Sequence, residues 1–576
     1  MMSYLPVARR VPLFRNMVFV RTNAGVLVLM ALLGFVVLYP IWRIMLSSVQ
    51  IEGPGGAAII SLDAWRNSFN QPGIGAALWN TVKVVVTVQA ISLPIAIGIA
   101  WLLGRTDVPF GRWLEFGFWI SFLLPALVTT TGWLLLLDAK YGLINTYLVN
   151  AGLFETAPFN MYSFWGIVFA HLVSNSISVK VMLLTPAFRN MNSDIEDASR
   201  ICGGGQFQTL LRIVLPVLTP ILLVTVLMSL IKGLEAFELE LVLGAPFDFS
   251  VYSTKIYQLL QGSPPDYRAA TVLATAILIV MLPLIVYQQR IVTSKSYVTV
   301  TGQGRQSVVE LGTKRWLIFA CLFLVVLLTT LVPIGLQLMG SFMTLFGFFD
   351  LPQAWSLTHW QSALSDVTFL RGLRNTLVLG LAAAILGVLL YSVVAYFSIR
   401  TGQRLGAALD LLSWLPFIIP GIILGLSYLW MVLEVPVFSP LYGTMGVLVL
   451  VAVLASITLG TQILKSNLLQ VGRDIEDAGR VVGGSWFKTF RSILLPFLGP
   501  VMGIVAVMTF AATARSVSTI ILLHSSNTTP LSVLQLGFLY GGDLGPAAVV
   551  GTVIVIISSL VALASLILAS RYRITR

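Results

Sequence analysis

Long apolar stretches recur along the whole chain, and they restrict its fold more than any other feature. A transmembrane helix needs about 20 mostly apolar residues, and twelve stretches of the 576-residue sequence meet this requirement. Charged residues make up 10% of the chain, which leaves too little polar surface to coat a water-soluble protein of this size. The pattern predicts an all-α polytopic membrane protein with twelve transmembrane helices. The expected spans are residues 24–47, 78–103, 113–137, 161–186, 211–232, 268–290, 315–340, 373–399, 407–433, 443–465, 494–523 and 545–570.

Basic residues indicate how these spans are oriented. Cytoplasmic loops carry an excess of Lys and Arg, and most of the 35 such residues fall on one side if the N-terminus lies inside. Both termini are then cytoplasmic, and the run from Ala24 to Ser47 is a retained first span because it exceeds the apolar core of a signal peptide. Membrane topology accounts for the net charge of +12, so we predict the lipid bilayer and no nucleic acid as a partner.

The two halves of the chain repeat each other. Residues 195–200 read Ile-Glu-Asp-Ala-Ser-Arg, and residues 475–480 read Ile-Glu-Asp-Ala-Gly-Arg. Asn80-Thr81 likewise recurs as Asn375-Thr376. Both halves carry six spans in the same orientation, which predicts two parallel repeats about an axis along the membrane normal. The predicted organisation is a first six-span unit at 1–292, a polar cytoplasmic linker at 293–314 and a second six-span unit at 315–576.

The loops between spans four and five, at about residues 190–216 and 470–496, share one spacing of residues. Each begins with acidic and small residues that suit the first turn of a helix. A glycine then permits a sharp reversal, and an amphipathic piece leads to a proline in the first turn of the next span. We expect a short helix across the cytoplasmic face, stiffly joined to that span. The spacing is carried by Asp197-Ala198-Ser199, Gly203, Ile213 and Leu215-Pro216, and by Asp477-Ala478-Gly479, Gly483, Ile493 and Leu495-Pro496.

This spacing resembles the EAA loop of type I ABC importer permeases, in which Glu-Ala-Ala is followed by Gly and then by Ile-x-Leu-Pro. The resemblance implies the type I permease fold for both units and a coupling helix that docks on an ATP-binding subunit. Asp197 and Asp477 depart from the family's glutamate, and Ser199 and Gly479 depart from its second alanine. The coupling residues that the resemblance implies are Glu196, Asp197, Ala198 and Gly203, and Glu476, Asp477, Ala478 and Gly483.

The same resemblance implies partners and a location. Two loops imply two ABC ATPase subunits, expected as a homodimer, and the family adds a soluble solute-binding protein on the outer side. The location it implies is the bacterial inner membrane. No Gly-x-x-x-x-Gly-Lys-Ser/Thr phosphate loop occurs in this chain, so we expect the partner subunits to bind and hydrolyse ATP.

Several segments resemble the ferric-iron permeases, in which both units share one chain. The segments are Val251–Tyr257, Pro264–Tyr267, Arg515–Leu523 and Leu531–Val533. The resemblance implies ferric iron as the transported solute, bound outside by the solute-binding protein. Importers of phosphonate, thiamine, polyamine or sulfate are related systems and remain alternatives.

Candidate residues for catalysis or cofactor binding do not emerge from the sequence. Cys202 and Cys321 lack metal-ligand spacing, and the three histidines are far apart. We therefore predict no catalytic residue, no metal site and no bound cofactor. Two other function classes remain open. A secondary transporter would have no reason for the doubled loop, and a membrane-embedded enzyme would need a convergent polar constellation.

A cluster of charges near the outer end of span five suggests a gate. It contains Lys232, Glu235, Glu238 and Glu240, and the repeat places Glu235 opposite Arg515. Ionisable groups at membrane depth are costly and usually face a partner or a cavity. We predict that Glu235 and Arg515 pair across the pseudo-twofold axis and close the outer gate. The alternative is a hydrated Glu235 and an Arg515 that extends to the interface.

Overall fold

Helices form most of the described part of the chain in the computed structural model, which describes residues 13–52, 58–191, 194–294, 308–481 and 483–574. One small antiparallel pair, β1 (Gln50–Glu52) and β2 (Ala58–Ile60), follows the first helix. The helices of the first half are α1 (Leu13–Val49), α2 (Asp63–Phe69), α3 (Ile74–Arg105), α4 (Gly111–Leu123), α5 (Ala126–Leu137), α6 (Leu143–Asn150), α7 (Phe164–His171), α8 (Ile177–Arg189), α9 (Asp194–Ile201), α10 (Gln206–Thr209), α11 (Leu215–Leu234), α12 (Glu238–Gly244), α13 (Tyr252–Gln261) and α14 (Tyr267–Ser294). Those of the second half are α15 (Arg315–Val326), α16 (Val332–Ser341), α17 (Thr358–Ser365), α18 (Val367–Arg400), α19 (Gln403–Ile418), α20 (Gly421–Glu434), α21 (Met445–Leu468), α22 (Arg473–Val481), α23 (Trp486–Thr489), α24 (Leu495–Ala514), α25 (Leu531–Gly541) and α26 (Leu544–Ile574).

The membrane-spanning helices confirm the predicted all-α fold. Among the described residues, ten helical segments are long and apolar enough to cross a bilayer, and two bent helix pairs bring the number to twelve. The bends are 100° between α4 and α5 and 108° between α19 and α20. Pro125 and Pro420 stand directly before the second helix of each pair, where their missing amides leave no helical hydrogen bond to break. The sequence prediction extended the eleventh span to residue 523, but its helix ends at Ala514, with Arg515 as the residue that caps it.

The order of the helices repeats in the two halves. In each half a long second span is followed by a bent third span, and a short helix on the loop follows span four. A π-helical turn then introduces span five, at Leu210–Val214 and again at Phe490–Leu494. Turns of this kind are rare inside helices. Their recurrence at the same place supports the two-repeat architecture.

The two halves exchange their first spans. Helix α1 packs on α19 and α20, and α16 packs on α5. The Tyr428 hydroxyl donates to the Val36 carbonyl at 2.9 Å, and Arg43 pairs with Glu434. Each half therefore covers the bent span of the other, and the largest hydrophobic core draws residues from both.

Part of the predicted linker lies within the described residues. Val309 donates its amide to the Arg105 carbonyl at 2.8 Å, and Asp107 Oδ1 accepts the Leu311 amide at 2.8 Å. Residues 295–307 of the linker and residues 1–12 of the N-terminal arm lie outside the described part of the chain. The boundaries assigned to the two units remain predictions.

Candidate functional site

The repeated loops fold into two short helices, α9 and α22, that match in detail. Gly203 and Gly483 each follow the helix with φ +81°, in the left-handed region that side chains with a Cβ rarely adopt. The next amide, of Gly204 or Gly484, donates back to the carbonyl five residues earlier, at 2.9 Å and 3.0 Å. These bonds close a Schellman turn. The sharp reversal predicted from the glycines is present in both loops.

Small residues in each loop let the helix pack on the piece that follows. Ser199 forms a 2.8 Å hydrogen bond with Thr209, which joins α9 to α10. The corresponding position in the second loop is Gly479, where an added Cβ would lie 3.1 Å from the Thr489 methyl group. The departures from the second alanine of the family pattern thus lie inside the loop, where they set the packing of its two helices.

Apolar side chains on the loops face solvent. Ile201 is 87% exposed and its counterpart Val481 is 86% exposed. Phe207 is 72% exposed on α10, and Ala198 and Ala478 are also exposed. A groove of about 630 Å³ lies between α22 and α23. Exposed apolar patches of this kind are typical of protein–protein contact sites. Ile201 and Val481 were not singled out from the sequence, although their equal placement after the Ala-Ser and Ala-Gly pairs could have identified them.

Glu196 and Glu476 occupy the opposite side of these helices and face the protein interior. Only 3% of Glu196 and 4% of Glu476 is exposed, so they do not offer their carboxylates to a partner. Asp197 is half-buried, and Asp477 is exposed. The coupling role of the eight residues stays a prediction, and the structure adds where the two glutamates make their contacts. Within the group of coupling residues, Glu196 and Glu476 act inside this chain.

Each buried glutamate pairs with the last residue of the second span. Arg105 Nη2 lies 2.8 Å from Glu196 Oε2, and Arg400 Nε lies 2.7 Å from Glu476 Oε1. Each arginine also donates to a backbone carbonyl, of Met191 at 3.0 Å or of Val471 at 2.9 Å. Sequence analysis used these arginines only as markers of the cytoplasmic side. Arg105 and Arg400 are 295 positions apart, as are Asn80 and Asn375. This equal spacing could have identified the two arginines as equivalent residues of the repeat.

The charges near span five arrange themselves differently from the prediction. Glu235 Oε2 accepts from Lys232, one helical turn earlier, at 2.6 Å. Arg515 instead faces Glu238. The amides of Val517 and Ser518 also bond Glu238, and burial raises the pKa of its carboxyl to about 7. The described side chains thus do not form the Glu235–Arg515 pair, because Lys232 satisfies Glu235 locally.

Both cations of this cluster reach the bent span of the other half. Lys232 Nζ lies 4.6 Å from the centre of the Phe417 ring, and Arg515 lies over Phe122 at 5.4 Å. Arg515 also donates to the Phe122 carbonyl at 2.8 Å. Phe122 and Phe417 occupy equivalent positions, each just before a bend. These contacts join the two halves, and a gate at this place stays a prediction.

Metal ligands are not clustered in the described part of the chain. Among those residues, no group of three or more His, Cys, Asp or Glu side chains is placed to hold a metal ion. His171 pairs with Glu240 at 2.6 Å, and both cysteines are free.

Relatives of known description align with this chain, although no family model matches it. It is 29% identical to the ferric transport system permease protein FbpB of Actinobacillus pleuropneumoniae over 69% of its length, and the alignment spans 57% of that relative. It is 21% identical to the Fe(3+)-transport system permease protein FbpB 2 of Haemophilus influenzae, with 80% of this chain and 84% of the relative covered. The "Probable ABC transporter permease protein y4fN" of Sinorhizobium fredii is 24% identical, with 92% and 94% covered.

The crystal structure of a bacterial ABC transporter that imports the acidic polysaccharide alginate aligns with 48% of this chain and 97% of its own, at 16% identity and a TM-score of 0.41. The sequence relatives reach across both repeats, since one alignment includes 92% of the chain. The chain is a multi-pass membrane protein, homologous to ABC transporter permeases and built from two repeated units in one polypeptide.

Proposed function

We propose that this chain is the membrane permease of an ATP-driven importer and that ferric iron is its solute. One observation carries the importer assignment: the same helix, glycine turn and exposed apolar residue occur twice, in equivalent loops. The names of two relatives support ferric iron. The ion is a substrate in this proposal, and it is delivered by a soluble binding protein on the outer side.

Two ABC ATPase subunits dock on the loops in this proposal, one beneath each half. Exposed Ile201 and Val481 supply the apolar contact, and the groove beside α22 receives the partner surface. ATP is bound and hydrolysed by those subunits, and this chain binds no cofactor. Both termini lie in the cytoplasm of a bacterium, because the basic loops are on that side of the inner membrane.

ATP binding closes the ATPase pair and draws α9 and α22 together. The spans then rock between inward-open and outward-open arrangements. The charged contacts of Lys232 and Arg515 with the opposite bent spans must separate and re-form during this motion, because each contact joins two halves that move apart.

Co-purification tests the docking surface. The double variant Ile201→Asp, Val481→Asp places charges in the apolar contact, so we expect it to lose the ATPase subunits while remaining in the membrane. Val437→Asp is the matched control, since Val437 is 81% exposed outside the loops. Retention of the ATPase by the double variant would contradict this docking mode.

Uptake of radioactive ferric iron by iron-starved cells, with and without the gene, tests the solute. We expect an ATP-dependent loss of uptake on deletion, restored by the wild-type gene. Unchanged iron uptake in a strain that still forms the ATPase complex would reject ferric iron, and phosphonate, thiamine and polyamine would then be tried in that order.

A further inference from the structure

The repeated Asn-Thr pairs lie near the start of the second spans and hold another segment of the chain. The Thr81 hydroxyl accepts the Tyr252 amide at 2.8 Å, and the Thr376 hydroxyl accepts the Leu531 amide at 2.8 Å. Both threonines are buried. Each bond joins the second span to the start of α13 or α25.

The asparagines strengthen the same junctions. Asn80 donates to the Ser250 carbonyl at 3.0 Å. Asn375 donates to the carbonyls of Asn527 and Thr529, at 2.9 Å and 3.2 Å. The chain just before each junction carries the charges that lie between the halves, Glu238 in one copy and Arg515 in the other. We call residues 235–252 and 515–531 the gate segments.

The far ends of the same helices hold the loops, through Arg105 with Glu196 and through Arg400 with Glu476. Twenty-four residues separate each threonine from its arginine, and an α-helix of that length is about 36 Å long. Each second span therefore crosses the membrane with one fastened end on the loop and the other on the gate segment.

A closed frame results in each half. The loop continues covalently through α11 or α24 into the gate segment. Helix α3 or α18 joins the same two places through side chains. A single helix between loop and gate segment could pivot at its π-helical turn, whereas two helices fastened at both ends cannot move independently.

We infer that Arg105, Arg400, Thr81 and Thr376 are positioning residues that make α3 and α18 levers between the coupling loops and the gate segments. The inference rests on the proposed function, because the levers transmit the motion that the ATPase subunits impose on the loops. Loss of a lever leaves docking and hydrolysis in place and disconnects them from the gate.

The double variant Thr81→Val, Thr376→Val tests the levers in the complete complex with its ATPase subunits. Valine keeps the shape and removes the acceptors of the Tyr252 and Leu531 amides. We expect uptake per ATP hydrolysed to fall by about tenfold, because the variant removes one buried hydrogen bond from the lever of each half. ATPase co-purification should be unchanged, and Thr81→Ser, Thr376→Ser should restore coupling because the hydroxyls return.

Ser92→Ala, Ser392→Ala is the matched control. These buried hydroxyls lie on the same helices, and their hydrogen bonds go to carbonyls of their own helix, Val88 and Val388. Wild-type coupling in the valine variant, or an equal loss in the control, would overturn the inference.

If the valine variant does not fold, Arg105→Lys, Arg400→Lys provides the second test with the same expected loss. If the wild-type chain purifies without any ATPase subunit, that result would reject the proposed function and not the levers alone.

Discussion

At the scale of single residues, two glycines set the geometry of the loops. Gly203 and Gly483 adopt φ +81° with open space where a Cβ would lie, so backbone strain alone opposes a side chain there. A left-handed residue with a Cβ costs about 1–2 kcal/mol, and a β-branched one costs more. We expect Gly203→Val, Gly483→Val to displace α9 and α22 and to reduce solute uptake strongly while the spans remain inserted.

Gly205→Val is the control for this pair of substitutions. Gly205 also has open space around it, but its φ of −70° suits any residue. Solute uptake and the stimulation of ATP hydrolysis are measured in the same vesicles for the double variant and for the control. Undiminished uptake by the double variant would show that the turn conformation has no part in coupling.

A second residue-scale prediction uses the difference between the two loops. Thr209 bonds Ser199, whereas the Thr489 hydroxyl is buried without a hydrogen-bond partner in the described part of the chain. Thr209→Val leaves Ser199 unpaired and should lower the free energy of unfolding by about 1 kcal/mol. Thr489→Val should be neutral or stabilising, because it removes an unsatisfied polar atom. Melting temperatures of the two purified variants compare these effects, and equal losses would contradict the assignment.

At the scale of helices, the length of the apolar stretches and the spacing of the loop residues predicted those features of the fold that depend on local sequence. The twelve spans and the glycine turns belong to this group, since each is determined by neighbouring residues. The Arg105–Glu196 pair is different because its members are 91 positions apart. Only the packing of α9 against the end of α3 brings them together, and no periodicity encodes that contact.

The gate segments illustrate the same limit. Repeat symmetry correctly identified Glu235 and Arg515 as equivalent positions near the contact between the halves. It could not predict their partners, because Lys232 has an alanine, Ala512, as its counterpart. Glu235 therefore pairs locally with Lys232, and Arg515 faces Glu238 instead.

This arrangement predicts unequal costs for charge removal. Arg515→Ala leaves the carboxyl of Glu238 without its facing cation, so its pKa, already raised to about 7, rises further and the group takes up a proton. Because protonation removes the charge, we expect the free energy of unfolding to fall by about 1–3 kcal/mol. Adding Glu238→Gln should recover part of that loss. Glu235→Gln should cost less, since the Lys232 side chain is 52% exposed and can be hydrated. Thermal unfolding of the three purified variants in detergent, beside the wild type, measures the order, and equal stability of the single and double Arg515 variants would refute the pairing.

At the scale of the whole molecule, covalent fusion and packing both hold the halves together. Helix α1 packs on α19 and α20, and α16 packs on α5. The Arg105 carbonyl accepts the amide of Val309, which follows the undescribed part of the linker. If this packing is enough to assemble the two halves, the linker chiefly raises the effective concentration of one half near the other. The chain should then tolerate a break within the linker.

We therefore expect co-expressed fragments 1–300 and 301–576 to form one complex and to restore solute uptake. Each fragment alone should be degraded, because it exposes the surface that the other half covers. A break between Gly204 and Gly205 is the control. It severs the covalent path from α9 to α11, so its fragments should assemble around the same core without transport. Failure of the linker-split fragments to co-purify would mean that the contacts of α1 and α16 are too weak to assemble the transporter, and that fusion is required for folding.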